Sequence, residues 1–433
     1  MTTDCDRFAD ILLEIALECG ADAAEVFQSR SHARPVYFEA NRLKQLESTD
    51  TEGTTLRLWH RGRPGLAVSY GHTNPRALVE RALTIAQLNP PETIELGKAL
   101  DTKYPDLGTE VTVQQTIDWA RQTIELVREV YPEAICMAEW ECDTETTRLV
   151  NTNGLDCAYT DTTLSSYMAA EWIRGDDFLS VSDGQTRRDC LDPYDLAQQI
   201  LQRFHWAKRN VVAPSGRLPV LFTSKAADLL WDTIHEALSG KRALEESSPW
   251  SDRVGEPIVS PEITLSQHPT SGPYSCPFDD EGTPTRATTF IEAGILQLFY
   301  TDRQIGKQLG SGSTGNGFRP NLESFPSPGL YNSIVRPGTR DLSEMIANLD
   351  EGLIVDEVLG DGSGLAGDFS INVALGYYVK GGEPVGRIKD TMVCGNVYTA
   401  LKNAIEIGSD AVWNASCCTP SILVDGLSTI ARS

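Results

Sequence analysis

The amino-acid sequence predicts an α+β fold with two domains. Residues 1–213 would form an N-terminal α/β-type domain with an antiparallel sheet and helices, and residues 214–433 a C-terminal β-rich domain. Apolar residues at helical spacing lie mostly in the first half, whereas short β-type runs between Gly, Pro and Asn occur in both halves. Pro214, Ser215 and Gly216 mark a boundary between the two.

The first half begins with a predicted helix at residues 7–19, which Gly20 could cap at its C-terminus. Further helices are predicted at 75–88, 112–130 and 193–207 because apolar residues recur every three or four positions. Strands are predicted between residues 24 and 70 and at 134–150, 155–159 and 162–173. Residues 151–154, Asn-Thr-Asn-Gly, supply the turn chemistry between two of these strands.

The second half opens with a predicted strand at 218–222 and a helix at 224–238 that Ser224 could cap. Short strands are predicted at 287–291, 295–300, 352–359, 369–379 and 383–393, and a last helix near 398–407. The stretch that begins at Gly310 and ends at Tyr331 is long, polar and glycine-rich. Loops of this length are usually functional or mobile.

The charge of the chain excludes several classes of function. It has 37 Lys and Arg against 61 Asp and Glu, a formal charge of −24, so its surface repels phosphate and we expect no nucleic-acid partner. No segment approaches the roughly 20 apolar residues of a membrane helix. The acidic N-terminus does not resemble a signal peptide. We therefore expect no membrane contact. The ten cysteines form no Cys-x-x-Cys motif, so we expect free thiols and a cytoplasmic location.

The candidate catalytic residues are His235 and Glu236, adjacent on the predicted helix 224–238. In zincins, such a pair supplies a metal ligand and a general base, and a second His follows on the same helix. Here the positions for that second ligand hold Ser239 and Gly240, neither of which binds zinc well. The alternative interpretation, an ordinary helix His beside a solvated Glu, therefore remains open. Distant ligands that folding could bring to His235 are His205, His268, Cys417 and Cys418.

An acidic run, Phe278-Asp279-Asp280-Glu281-Gly282, also carries chemistry that a site could use. Neighbouring carboxylates can perform acid–base chemistry or hold a hard cation. Calcium loops alternate their ligands, however, and this run does not, so an acidic turn is the alternative. The chain has no phosphate loop and no Gly-x-Ser-x-Gly motif, which leaves a serine hydrolase without support.

As an ordered set, these segments resemble the TldD/PmbA family, which carries the label "modulator of DNA gyrase" and is related to metallopeptidases. The resemblance covers nearly the whole chain. Its pieces are residues 36–43, 53–57 and 62–67, the helix segment 235–240, the acidic segment 278–285, and residues 291–296, 313–317, 367–370 and 394–397.

The family has two branches, and the resemblance implies the PmbA-like (TldE) one. TldD-like chains carry His-Glu-x-x-x-His and a later Cys, which hold zinc. PmbA-like chains lack that set and pair with the active chain. Here Gly240 replaces the second His, and a PmbA-like sequence, residues 419–424, follows Cys417 and Cys418. Losing one of two convergent helix ligands leaves too few donors for a zinc site.

The sequence therefore predicts a PmbA/TldE-like subunit of a cytoplasmic metallopeptidase complex that acts on unfolded peptides. Because its motif is degenerate, we expect the chain to be non-catalytic and to hold no cofactor or metal, with zinc in a TldD-like partner. Self-association as a homodimer is the alternative assembly. Two other functions remain open: an independent zinc metallopeptidase with a rewired site that uses His235 and Cys417 or Cys418, and a non-enzymatic peptide-binding scaffold.

Overall fold

The computed structural model describes residues 4–360 and 363–431, and the chain has the predicted α+β fold, with antiparallel pairing dominant in its sheets. The first half contains helices α1 (Asp4–Glu18), α2 (Pro75–Ala86), α3 (Val113–Val130) and α4 (Pro193–Trp206). Its strands are β1 (Ala23–Ala33), β2 (Val36–Glu39), β3 (Arg42–Leu46), β4 (Thr49–His60), β5 (Arg63–Tyr70), β6 (Leu100–Lys103), β7 (Ile135–Asn151), β8 (Leu155–Arg174) and β9 (Asp177–Arg187).

These nine strands form one sheet, here called the first sheet, with the central order β3-β2-β7-β1-β4-β5. Strand β7 also pairs with β8, and β8 with β6 and β9. Successive side chains of a strand point to opposite faces. Ala24 and Val26 of β1 pack in a core with α1 and α2, whereas Phe27 packs against Phe278 of the second half. One face of the first sheet is thus covered by helices, and part of the other by the second half.

The second half contains helices α5 (Asp228–Ala237), α6 (Gly240–Leu244), α7 (Arg303–Leu309), α8 (Leu342–Ala347) and α9 (Val397–Lys402). Its strands, with the short β10 that precedes them, are β10 (Asn210–Val211), β11 (Gly216–Phe222), β12 (Leu265–Gln267), β13 (Thr288–Glu292), β14 (Ile295–Leu296), β15 (Gly317–Phe318), β16 (Ser327–Pro328), β17 (Ser333–Val335), β18 (Glu351–Leu359), β19 (Asp368–Lys380), β20 (Glu383–Ile388), β21 (Thr391–Asn396), β22 (Ala404–Ile407), β23 (Val412–Asn414), β24 (Cys417–Thr419) and β25 (Ile422–Ala431).

Five of these strands close into a ring. The order β19-β18-β11-β25-β21 runs along one sheet, and β21 pairs back with β19. Strands β10, β20 and β22 extend this sheet. A separate six-stranded sheet has the order β14-β13-β12-β17-β24-β23, and β15 pairs with β16. Helix α5 packs its apolar face into the core that the ring and the six-stranded sheet share.

The two halves share part of their core. Trp140 of β7 and Phe204 of α4 belong to the same buried apolar cluster as Leu221 and Tyr377 of the ring. Within that contact the buried Nε of Arg203 donates to Asp356 at 2.8 Å. The division of the chain at residues 213 and 214 stays a prediction. No helix in the described ranges is long and apolar enough to cross a membrane.

Several predicted boundaries are wrong, for local reasons. Ser224 does not cap α5: its N–H donates to Ser421 Oγ, and the helix begins four residues later at Asp228 without a side-chain cap. The predicted strand 383–393 is two strands with a turn at Asp390, whose φ is 48°. The predicted helix near 398–407 is a short helix followed by a strand. The two predicted strands at 155–159 and 162–173 lie on the single strand β8. The predicted strand 295–300 is only two residues long.

Candidate functional site

The predicted site helix is α5, and its buried face positions it firmly. Leu230, Trp231 and Ile234 are fully buried. The indole Nε1 of Trp231 donates to Thr419 Oγ1 at 2.7 Å, which fixes α5 against β24. The apolar side chains of α5 therefore pack in the core, and His235 lies near the C-terminal end of the helix.

His235 is held as a neutral imidazole. Its Nε2 is buried and has no hydrogen-bond partner among the described residues. Burial lowers the pKa of His235 to about 4, because the charged form would lose its hydration. The backbone carbonyl of His235 accepts a hydrogen bond from Tyr300 Oη at 3.1 Å. A neutral imidazole is the form that binds metals, but one ligand does not make a site.

Glu236 is engaged in an ion pair. Its Oε1 accepts from Arg242 Nη2 at 2.5 Å, and both side chains are more than one-third exposed. A general base must be available to take a proton from its substrate or water. The contact with Arg242 stabilises the carboxylate and occupies one of its oxygens. Glu236 is therefore one partner of a surface ion pair.

Gly240 does not lie on the helix of His235. Helix α5 ends at Ala237, Ser239 has extended backbone angles (φ −67°, ψ 125°), and Gly240 begins α6. The Gly240 N–H donates to the Tyr300 carbonyl at 2.8 Å. A Cβ at this position would lie 2.5 Å from Thr301 Cγ2 and 2.9 Å from the Tyr300 oxygen. The position where a zinc ligand would be expected thus has no room for any side chain.

The two adjacent cysteines lie on β24, beside the first turns of α5. Burial raises the pKa of Cys417 to about 12, with smaller contributions from Asp228 and Asp232, and that of Cys418 to about 11. Both are therefore thiols at neutral pH, whereas metal binding needs thiolates. The nine cysteines whose side chains are described are free, as predicted.

The distant ligands do not complete a metal centre. Within residues 4–360 and 363–431, no group of three or more His, Cys, Asp and Glu side chains could hold a metal ion. His205 lies on α4, and His268 follows β12, where its N–H donates to the Asn332 carbonyl. The structure thus brings neither His205, His268, Cys417 nor Cys418 together with His235 in a ligand set.

The acidic run is a turn, but it is largely buried. Asp279 is fully buried and Glu281 is 5% exposed, whereas Asp280 is partly exposed. Asp279 Oδ1 accepts from the Glu281 and Thr283 N–H groups, and Asp279 Oδ2 from Gly317 N–H at 2.9 Å. Glu281 Oε2 accepts from Arg303 N–H at 2.9 Å. We call residues 279–281 the acidic turn.

The acidic turn faces buried charges that the sequence analysis did not identify. Glu25 of β1 is fully buried, with Arg57 Nη2 at 2.9 Å and Arg319 Nη2 at 3.3 Å from its Oε1. Burial, and then Arg57, lower the pKa of Arg319 to about 10. These residues are far apart in sequence, so spacing could not connect them. The one signal is an acidic residue inside the apolar run of β1, Ala24-Glu25-Val26-Phe27.

Part of the glycine-rich stretch packs on the first sheet. We call residues 317–324 the strap. Thr55 Oγ1 donates to the Leu322 carbonyl at 2.7 Å, and the Arg319 guanidinium lies 5.3 Å from the centre of the Phe27 ring. At Gly53 a Cβ would lie 2.1 Å from Leu322 Cδ1, so a glycine permits this close approach. The strap therefore joins the second half to the first sheet.

With this geometry known, comparison with known proteins identifies the family. The model of the PmbA/TldA metallopeptidase C-terminal domain matches residues 215–431, half of the chain, and that of PmbA/TldA metallopeptidase domain 1 matches residues 24–86. The chain belongs to the TldD/PmbA family. This membership confirms the resemblance found in the sequence.

Relatives in this family match all or part of the chain. The chain is 25% identical to "Metalloprotease PmbA" of Escherichia coli O157:H7, an alignment that covers 93% of this chain and 91% of that protein. It is 28% identical to a "Metalloprotease TldD homolog" of Buchnera aphidicola over 48% of this chain and 46% of that one. The crystal structure of TldE from Thermococcus kodakarensis matches with a TM-score of 0.90 and 25% identity, over 98% of this chain and 99% of that one.

Proposed function

We propose that this chain is a PmbA/TldE-like, non-catalytic subunit of a cytoplasmic metallopeptidase complex that acts on unfolded peptides. In this proposal a TldD-like partner chain holds the zinc and cleaves the peptide bond. One observation carries the proposal: the position of the second zinc ligand is Gly240, at which the Tyr300 carbonyl and Thr301 leave no space for a Cβ.

The other motif residues support the same function. A catalytic zinc site keeps three protein ligands, an open position for water and a general base. Here His235 Nε2 is buried without a partner in the described chain, Glu236 pairs with Arg242, and Cys417 is a buried thiol. Glu236 and Cys417 are thus held in states that differ from their roles in a zinc peptidase, and no second ligand meets His235 among the described residues.

The free edge of the first sheet supports a role in holding peptides. Strand β3 lies at that edge, and all five of its residues are exposed. An extended peptide can add to such an edge through backbone hydrogen bonds, which do not depend on its sequence. This mode of binding suits unfolded peptides of varied sequence.

The deciding experiment measures zinc content and peptide cleavage of the purified chain, alone and with a TldD-like chain. Far less than one zinc ion per chain and no cleavage of an unfolded, fluorescently labelled protein are expected for the chain alone. Co-purification with the TldD-like chain should restore cleavage. His235→Ala should leave the zinc content and the cleavage by the complex unchanged, because His235 is not a ligand in this proposal.

Other outcomes would identify the alternative functions. Stoichiometric zinc and cleavage by the lone chain, both lost in His235→Ala, would overturn the proposal in favour of an independent zinc peptidase with a rewired site. Cys417→Ser and Cys418→Ser would then identify the thiol ligand. Peptide binding without zinc, and without a complex with the TldD-like chain, would instead indicate a scaffold. Sedimentation of the chain alone would show whether it forms a homodimer.

A further inference from the structure

The acidic turn and the strap bind each other through backbone and side-chain groups. The Asp280 N–H donates to the Gly317 carbonyl at 2.9 Å, and the Arg319 N–H donates to Asp280 Oδ2 at 2.7 Å. The Gly317 N–H donates to Asp279 Oδ2 at 2.9 Å. Because the strap also contacts the first sheet through Leu322 and Arg319, the acidic turn anchors one of the segments that join the second half to the first sheet.

Two carboxylates converge on Gly317. Asp279 Oδ2 accepts its N–H, and a Cβ on Gly317 would lie 2.6 Å from Glu281 Oε2. Asp279 is fully buried and Glu281 is 5% exposed. Two ionised carboxylates beside the same glycine and away from water repel each other, and this repulsion favours a proton on the pair.

The balance of charge in the cluster also calls for one proton. Around the acidic turn lie four carboxylates (Glu25, Asp279, Asp280 and Glu281) and three guanidiniums (Arg57, Arg303 and Arg319), while Asp302 beside them is opposed by Lys241. Full ionisation leaves at least one uncompensated negative charge, and uncompensated buried charge is costly. Glu25 Oε2 is fully buried and has no partner among the described residues, so the guanidiniums do not satisfy every carboxylate oxygen.

We propose that the acidic turn and the strap form a proton-dependent clamp between the two halves of the chain. With one proton on the Asp279–Glu281 pair, the strap stays closed on the first sheet. When that proton passes to solvent, the strap opens and the carboxylates regain water. The strap is the part that moves because its own secondary structure is only the two-residue strand β15.

The groups that face the acidic turn come from every element packed against it. They are Glu25 of β1, Arg57 of β4, Glu145 of β7, Cys157 and Tyr159 of β8, Cys276 before the turn, Asp302 and Arg303 at the start of α7, and Arg319 of the strap, with Lys241 of α6 acting on Asp302. The cations among them favour ionised carboxylates, and the acids oppose ionisation.

Burial is the largest effect on each carboxyl of the turn. It raises the pKa of Asp279 and of Glu281, and their mutual repulsion keeps the pKa of Asp279 high. It raises the pKa of Asp280 to about 6. The open state, with ordinary carboxyl pKa values, binds fewer protons than the closed state. Opening therefore becomes more favourable as pH rises, by up to about tenfold per pH unit and per proton.

Hydrogen exchange of the full chain between pH 6 and pH 8 tests the clamp. Asp280, with a pKa of about 6, titrates at the lower end of this range, so the slope above pH 7 reports the Asp279–Glu281 pair. Protection factors, which correct for the intrinsic pH dependence of exchange, should fall about tenfold or more for peptides spanning residues 313–325. Peptides from α5 should change little and serve as the internal reference.

Glu281→Gln is the decisive variant. It leaves as many carboxylates as guanidiniums, and its amide oxygen can still accept from Arg303 N–H. The fall in protection should shrink to less than about threefold. Glu262→Gln, at an exposed acid outside the cluster, should keep the wild-type slope.

Two results would overturn the clamp. One is a wild-type strap whose protection factors do not change between pH 6 and pH 8. This measurement uses the wild-type chain alone. The other is an equal fall in wild type and in Glu281→Gln. Neither readout involves zinc or peptide cleavage, so the clamp and the proposed function can fail independently.

Discussion

Restoring a histidine at position 240 should neither create a zinc site nor be tolerated by the fold. Gly240→His places a Cβ 2.5 Å from Thr301 Cγ2 and 3.2 Å from Ile305 Cγ2. Thr301 is fully buried, so its methyl group cannot swing into solvent. The change therefore forces either the backbone of α6 or residues 300–301 to move.

The size of the effect follows from these contacts. Overpacking of a buried site costs about 1–3 kcal/mol. Movement of α6 would also weaken the hydrogen bond from Gly240 N–H to the Tyr300 carbonyl, worth about 1 kcal/mol. We therefore expect a loss of about 2–4 kcal/mol in the free energy of unfolding. Gly240→Ala should show most of this loss, because the Cβ alone makes the close contacts.

Urea unfolding followed by tryptophan fluorescence measures the loss, and elemental analysis measures zinc. The matched control is Gly364→His, at an exposed glycine where no described atom lies within 4 Å of the added Cβ. It should change stability by less than about 0.5 kcal/mol. A Gly240→His chain that is as stable as wild type and binds one zinc ion would refute the argument from space on which the proposed function rests.

Two further predictions concern α5. Thr419→Val removes the acceptor of the buried Trp231 Nε1 and should lower the free energy of unfolding by about 1–3 kcal/mol in urea titrations. The control is Thr429→Val, at a buried threonine whose Oγ1 donates to backbone carbonyls. Equal losses in the two variants would contradict the role of the indole contact. Because the folded-state pKa of His235 is lowered to about 4, the unfolded chain binds a proton first as pH falls. Stability should drop between about pH 6.5 and 4, by up to about 1.4 kcal/mol per pH unit, and His235→Gln should remove that part of the slope; an unchanged slope would show that His235 is not the group that titrates.

Apolar spacing in the sequence predicted much of the secondary structure, and the structure adds helix caps that those predictions did not use. Helix α2 begins at Pro75, where Asn74 accepts from the Ala77 N–H, and α3 begins after Thr112, which accepts from Gln115. Such caps and apolar spacing act over a few residues. Helices α6, α7 and α8 were missed because five to seven residues are too few for a helical period to be visible.

The site was only partly predictable, because its decisive features act over long distances in the chain. The sequence showed that Gly240 cannot bind zinc, but not that Tyr300 and Thr301 exclude a side chain there. Likewise an acidic turn was one of two interpretations of residues 279–281, but the sequence did not show that Glu25 and Arg319 lie beside it. Contacts between such distant segments leave no periodic pattern in a single sequence.

The closed ring of strands has a consequence for how the chain acquires its structure. Leu221 of β11 lies opposite Leu423 of β25, about two hundred positions later. A growing polypeptide cannot complete this circle until nearly all of the described segment has left the ribosome. Until then β11 and β21 present unpaired backbone edges, which favour wrong partners and aggregation. Such non-local pairing makes folding slow, so those edges stay exposed for much of the synthesis of the chain.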